Sequence, residues 1–305
     1  MSTDMRGGVL VITHGVPLDG VIAQIGAAAR AGAGAAWLPQ VLGHDALTAL
    51  AVAGREVPGI QLGTAVVPTF PRHPLALAGQ ALTAQAAMGG RLTLGIGLSH
   101  RATVEGAYGY SYDRPLRHLR EYLRALAPLL RGEPVALRGE TLTAAGAVEV
   151  PGTTAPSLML AALGPAMLRL AGEETDGTIT QFTGPRTVAD HVVPTLTRAA
   201  SRAGRPAPRV VVGVSVCVTH DPAARRALLG NIYSAVGTGG EPSYRAMLER
   251  EGVATAVDVA ITGDEARVER ELRRYADAGA TEFMTTLFGT EQENARTLEL
   301  IASFG

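Results

Sequence analysis

Residues 91–100 read Arg-Leu-Thr-Leu-Gly-Ile-Gly-Leu-Ser-His. They begin as a strand and end in Gly95-x-Gly97, the opening of a dinucleotide-binding fingerprint, G-x-G-x-x-G between a strand and a helix. The third glycine belongs at position 100, and His100 stands there. Nor does an acidic residue close a strand about 20 positions on, where that fold binds a ribose. The stretch reads better as the glycine-rich carboxyl end of a strand in another α/β fold. There Gly95 and Gly97 would open space at a ligand mouth, and Ser99, His100 and Arg101 would offer donors.

The rest of the chain says which fold. A helical segment repeatedly runs into Ala/Gly and then into a short apolar strand, at residues 28–39, 84–97, 170–182 and 273–288. Glycine just past a helix end supplies the left-handed turn that stops it. The strands are unbroken apolar runs, as in a parallel sheet covered on both faces. Strands are expected near 9–13, 34–38, 60–66, 92–97, 158–162, 177–181, 209–218 and 282–287. Helices are expected near 17–31, 44–54, 74–88, 115–131, 165–173, 186–203, 263–278 and 291–303. Eight strand–helix units in 305 residues predict one α/β domain over 1–305, a (β/α)8 TIM barrel.

Two segments break the rhythm. Residues 132–157, after the helix of the fourth strand, read as a hairpin or extended excursion. Residues 222–260, around the seventh helix, are too long for one plain helix, and their glycine-rich piece at 236–252 is either a lid or a solvated insertion. The helix at 115–131 shows the physics best. Leu116, Leu119, Leu123, Leu126 and Leu130 form one apolar stripe, Asp113 is the expected N-cap, and Pro115 sits in the tolerated first turn.

Composition narrows the function. With 27 basic and 28 acidic residues, net charge −1 and no block of like charge, no nucleic-acid partner is expected. Every cation is arginine, which excludes Schiff-base lysine chemistry and a Walker-type phosphate lysine. Cys217 is the lone cysteine and lies among apolar neighbours, so it reads as a buried strand residue. The opening apolar run is too short for a signal peptide, and no apolar run is long enough to span a membrane. A cytoplasmic protein with no membrane partner is expected.

In a barrel the active site sits at the carboxyl ends of the strands. The fifth strand is followed by Ala162-Leu163-Gly164-Pro165. Glycine there lets the backbone approach a ligand, proline fits the first helical turn, and the free N–H groups would face an anion; a plain strand–helix turn looks the same. His14, directly after the first strand, and His100 are the candidates for proton chemistry, since imidazole titrates near neutral pH. The alternative for each is a solvated or carbonyl-bonded histidine. His73, in Pro-Arg-His-Pro, is expected to position its loop. His118 and His191 are expected on helices away from the mouth, and His220 just before a helix start at Asp221-Pro222. There is no HExxH, no GxSxG and no paired carboxylates at a strand end, so no metal site is expected and hydrolytic chemistry has no support.

Taken together, "WLPQ" (37–40), residues 62–100, residues 155–182 and residues 263–283 resemble the luciferase-like monooxygenase superfamily, in its coenzyme F420-dependent branch. The resemblance implies a (β/α)8 barrel that dimerises with a second copy and acts on a small-molecule substrate. It implies a deazaflavin across the mouth, with its phosphate end toward the fifth and sixth units. It implies a bulge after the third strand whose non-proline cis peptide, here Ala65–Val66 next to Thr64, backs the ring. Gly164 and Pro165, with Ala162 and Leu163, match the phosphate loop. Gln40, Ser99, His100, Thr180 and Gln181 match strand ends that face the ligand. Relatives often hold the cofactor's acidic tail with lysines, and arginine would have to serve here. The implied reaction is hydride transfer between deazaflavin C5 and a C=C, C=N or C=O group. An FMN-dependent monooxygenase, or a non-catalytic flavin-binding dimer, is the alternative.

Overall fold

The computed structural model describes residues 5–235 and 241–304. Eight parallel strands close into a ring: β1 (Gly8–Leu10), β2 (Ala35–Leu38), β3 (Gln61–Thr64), β5 (Leu92–Gly97), β8 (Ser157–Ala161), β9 (Gly177–Gln181), β10 (Arg209–Val218) and β12 (Glu282–Leu287). The ring shuts where Val9 of β1 pairs with Thr285 of β12. The short β4 (Val67–Pro68) pairs with β5, β11 (Ile261–Gly263) pairs with the last residues of β10, and β6 (Val135–Arg138) and β7 (Thr143–Gly146) form a separate antiparallel hairpin. This is the expected TIM barrel, and the hairpin is the excursion expected at 132–157.

Helices pack outside: α1 (Leu18–Ala31), α2 (Ala46–Glu56), α3 (Pro74–Ala87), α4 (Arg101–Gly106), α5 (Pro115–Leu130), α6 (Pro165–Glu174), α7 (Pro185–Thr187), α8 (Val193–Arg202), α9 (Pro222–Ala235), α10 (Pro242–Glu251), α11 (Glu265–Asp277) and α12 (Glu291–Ala302). The expected helix 186–203 is interrupted by a π-helical turn at Val188–Val192 just before Pro194, whose ring cannot accept the regular hydrogen-bond pattern. On α5 the leucine stripe turns inward as expected, with Leu119, Leu123 and Leu126 fully buried and Leu116 half-buried. Each of the fully buried three contributes about 1.5–3 kcal/mol through burial. Asp113 is not its cap: Arg114 holds the N-cap place in a left-handed conformation (φ 52°), and Asp113 instead accepts from the Ser111 hydroxyl.

Side-chain alternation fills the ring in layers. At the amino-terminal end Arg209 donates to Glu282 at 2.7 and 3.0 Å and reaches Ser157 and Thr93. The middle layer is apolar: Ala35, Trp37, Met159, Ile179, Val211 and Met284. Trp37 fits because Gly63 on the next strand has no Cβ to collide with its ring. Cys217 is wholly buried near the carboxyl end of β10 against Leu229, Ala260 and Phe288, and burial with nearby Glu293 raises its thiol to about 11, so it is no nucleophile.

Candidate active site at the carboxyl ends of the strands

The floor of the site begins where β3 breaks. After Thr64 the chain passes through a cis Ala65–Val66 peptide and resumes as β4 beside β5. The Thr64 hydroxyl donates to the Gly95 carbonyl at 2.7 Å and accepts from the Gly95 N–H at 2.9 Å, replacing the lost strand pairing. Thr64 is therefore wholly buried and anchors the bulge; it does not present its hydroxyl to a ligand. Val66 swings inward over β5, where a Cβ on Gly97 would lie 2.7 Å from Val66 Cγ2. The expectation that Gly95 and Gly97 leave open space is corrected here. The space exists, and Val66 fills it. Ala65, Val66 and Leu10, all half-buried, form an apolar floor on the barrel's middle layer.

An amino-terminal helix end stands on one side. Gly164 is the N-cap of α6 in extended conformation, with no side-chain cap and nothing within 4 Å of where a Cβ would project. The first-turn N–H groups there have no partner within the helix. Ala162 is buried and Pro165 exposed. The Leu163 carbonyl accepts from His191 Nε2 at 2.8 Å, so His191 supports the mouth rather than lying away from it. Thr180 is buried and its hydroxyl is bonded to Thr183. Its neighbours Ile179 and Gln181 hold the inward positions of β9, and alternation turns Thr180 outward, away from the ligand side assigned to it. Gln181 projects inward over Gly213, which has no side chain to block it. Gln40 is half-buried, and its side-chain oxygen accepts the Ala46 N–H at 3.0 Å, which ties it to the start of α2.

The insertion after β10 closes over another side. Glu251 at the end of α10 accepts the Arg186 and Thr187 N–H groups at 3.3 and 2.7 Å and so caps α7. At the other end of α10, Glu241 Oε1 lies 3.6 Å from His100 Nδ1, and the Tyr244 ring meets the His100 ring edge-on at 5.6 Å. Phe182, directly after β9, packs edge-on against Tyr233 and Tyr244 at 5.4 and 5.0 Å. Tyr233 and Ser215 share a 2.7 Å hydrogen bond. Burial pushes Tyr244 up to about 12 and raises Tyr233, so both remain neutral phenols at ordinary pH. The second half of the expected lid is thus a helix held at both ends; its residues 236–240 lie outside the described residues. Ser99 and Phe182, at the ends of β5 and β9, both take positive φ (64° and 54°), a costly conformation for such residues and one that clusters at functional sites.

His14 lies exposed in the turn after β1 and has no hydrogen-bond partner among the described residues. No hydrogen bond or ring contact joins His14 to His100 among the described residues, and β2 and β3 lie between their strands in the ring. His73 does position its loop: Nδ1 accepts the Leu75 N–H and Nε2 meets the Thr143 carbonyl at 2.8 Å. His118 is on α5 as expected, yet it stacks on Phe70 at 4.2 Å and bonds Thr69 at 3.1 Å, so it braces the segment that follows the bulge. Burial lowers it to about 4 against the pull of Glu121, leaving it neutral. Thr69, Phe70, His73 and His118 border a cavity of about 610 Å³ that reaches Tyr110 and Thr141.

Phe182, Tyr233, Tyr244 and Glu251 escaped the sequence reading. The signal was present: aromatics are only 4% of the chain, and three of these four are aromatics just past a strand end or in the insertion after β10.

A closed parallel ring, a broken third strand beneath the mouth and an uncapped helix end beside it meet at the carboxyl face of the barrel. The model of the family described as luciferase-like monooxygenase matches residues 5–305, and the chain belongs to that family. It is 30% identical over 221 residues to a 5,10-methylenetetrahydromethanopterin reductase of Methanolobus tindarius, covering 72% of this chain and 67% of that one. It is 36% identical over 177 residues to a Mycobacterium tuberculosis protein provisionally named a coenzyme F420-dependent oxidoreductase, covering 53% of this chain and 51% of the relative. In fold it matches an F420-dependent secondary alcohol dehydrogenase solved with an F420–acetone adduct, at TM-score 0.80 and 16% identity over 99% of this chain and 98% of that one. Among the described residues there is no group of His, Cys, Asp and Glu fit to hold a metal, and no helix long and apolar enough to cross a membrane.

Proposed function

We propose that this chain is a coenzyme F420-dependent oxidoreductase acting on a small organic molecule with a C=C, C=N or C=O group. The observation that carries the reading is the pairing of an apolar floor with a free helix end. Ala65, Val66 and Leu10 offer a flat, uncharged backing for a planar ring, and the α6 amino terminus at Gly164 offers N–H donors for a phosphate. The similarity to F420-named relatives supports the same choice. When bound, the cofactor supplies or takes up a hydride at its ring carbon C5.

The chain's own part is to bind, orient and exclude water. Leu163 and Gly164 hold the anionic end, with His191 fixing the loop. Gln181 and Gln40 border the ring, and Ser99 places the loop that carries His100. We assign the accompanying proton to His100, whose ring is oriented by Glu241 and Tyr244, and substrate positioning to His14. Phe182, Tyr233 and α10 keep water from that side. A homodimer fits α3, which has no charged residue in 14 positions although Ala76, Gln80, Thr83 and Ala86 are exposed. An outer helix facing water normally carries charge there.

Parallel titrations with F420 and FMN, followed by stopped-flow bleaching of reduced F420 with enones, imines and ketones, test the reading. Tight F420 binding and bleaching by at least one class are expected. Binding of FMN alone, with oxygen consumption, would move the chain to the monooxygenases.

A further inference from the structure

The loops leaving β1, β2 and β5 carry an apolar rim that the cofactor site does not use. Among the described residues six large hydrophobic side chains are exposed, and four of them, Ile12, Val41, Leu42 and Tyr110, are on these mouth loops, at 45, 64, 67 and 48%. The backbone holds them there. Leu10 packs into the barrel interior, so Ile12, two residues on, takes the same side at the mouth. Both backbone polar groups of Ile12 are bonded to the Gln24 side chain, at 3.0 and 2.9 Å. The Tyr108 hydroxyl donates to the Val41 carbonyl at 3.4 Å and joins the β2 loop to the β5 loop.

The carboxylates and arginines of the same loops are engaged elsewhere, and the exposed imidazole of His14 is the exception. Asp45 pairs with Arg72, Arg101 with Glu105, Arg114 with Glu140 and His100 with Glu241, while Asp113 accepts from Ser111. Large apolar side chains left exposed together around one mouth mark a ligand or partner surface. A charged ligand resting on the rim would lose hydration there without meeting a free arginine or carboxylate.

We infer that this rim selects the substrate, which is an uncharged molecule whose alkyl or aryl part rests on Ile12, Val41, Leu42 and Tyr110. The inference rests on the redox reading above for which group reacts, and not for how the apolar part binds.

Calorimetry on the cofactor-free full chain tests it, using 2-alkanones of increasing length beside alkyl carboxylates and alkylammonium ions of equal length. Alkanone affinity should rise with each methylene, by up to about fourfold at full burial. The charged series should bind about tenfold more weakly or worse. Leu42→Gln and Ile12→Asn should flatten the alkanone series without moving the melting temperature. Equal binding of the charged series, no dependence on chain length, or no effect of the two variants overturns the inference. So does a dimer that these variants split in sedimentation, which would give the rim to a second copy. F420 is titrated separately. Alkanone binding without F420 binding refutes only the cofactor reading, and F420 binding without alkanone binding refutes only the rim.

Discussion

Val66 and Gly97 share one space: a Cβ on Gly97 would lie 2.7 Å from Val66 Cγ2 and 3.2 Å from the Ala161 Cβ. On Gly95 a new Cβ would collide with the Thr64 backbone carbonyl, which cannot give way. Gly95→Ala should therefore cost about 2–3 kcal/mol of stability, read by denaturant unfolding. Gly97→Ala should cost less than about 1.5 kcal/mol, because only side chains must shift. Its effect should fall on the floor, weakening F420 binding about tenfold. Equal unfolding midpoints for the two variants would contradict this geometry.

Gly164 permits a test in which stability and binding move in opposite directions. Its backbone is extended (φ −72°, ψ 153°) and the space beside it is open. Gly164→Asp places a good N-cap there and should leave the fold unharmed or raise stability by a few tenths of a kcal/mol. The same carboxylate would occupy the anion position. F420 affinity should fall at least about tenfold while the melting temperature holds or rises.

Glu251 holds α10 to α7 through two backbone N–H groups. Glu251→Ala removes a cap worth about 1 kcal/mol. The melting temperature should drop by about 2 °C, and hydrogen exchange in α10 should quicken more than in the barrel strands. Uniform exchange across the chain would show that α10 is not separately anchored.

The neutral His118 gives the stability a defined pH dependence. Its pKa falls from 6.5 to about 4 in the folded chain, so between those values the unfolded chain holds more protons. Stability should be full above pH 6.5 and decline as pH falls toward 4. Glu121 and Glu293 also titrate. Burial opposes their ionisation, but hydrogen bonds outweigh it and lower both from 4.5 to about 2, so their loss begins only below pH 4.5. The interval from 4.5 to 6.5 thus isolates His118. His118→Gln, which keeps a polar group beside Thr69 without titrating, should flatten thermal stability across it by on the order of 1–2 kcal/mol.

The barrel is legible in the order of the amino acids alone. Apolar runs of strand length, four of them following a helix that ends in Ala/Gly, leave few packings other than a ring of parallel strands inside helices, and the leucine spacing of α5 fixes which face turns inward. These are local periodicities, and one chain displays them. The sequence also placed Gly164 at a helix start, because proline and glycine act on their own backbone. Which strand-end residues turn toward the mouth was set only by the packed barrel. Thr180 and Gln181 are neighbours of similar polarity, and only the register of β9 turns one out and the other in. Gly95 and Gly97 looked like open space until the break at Thr64 brought Val66 across from another strand. His118, His191 and Glu251 act on loops 28 to 64 residues away. Contacts that distant in sequence are set by chain closure around the ring and leave no periodic trace.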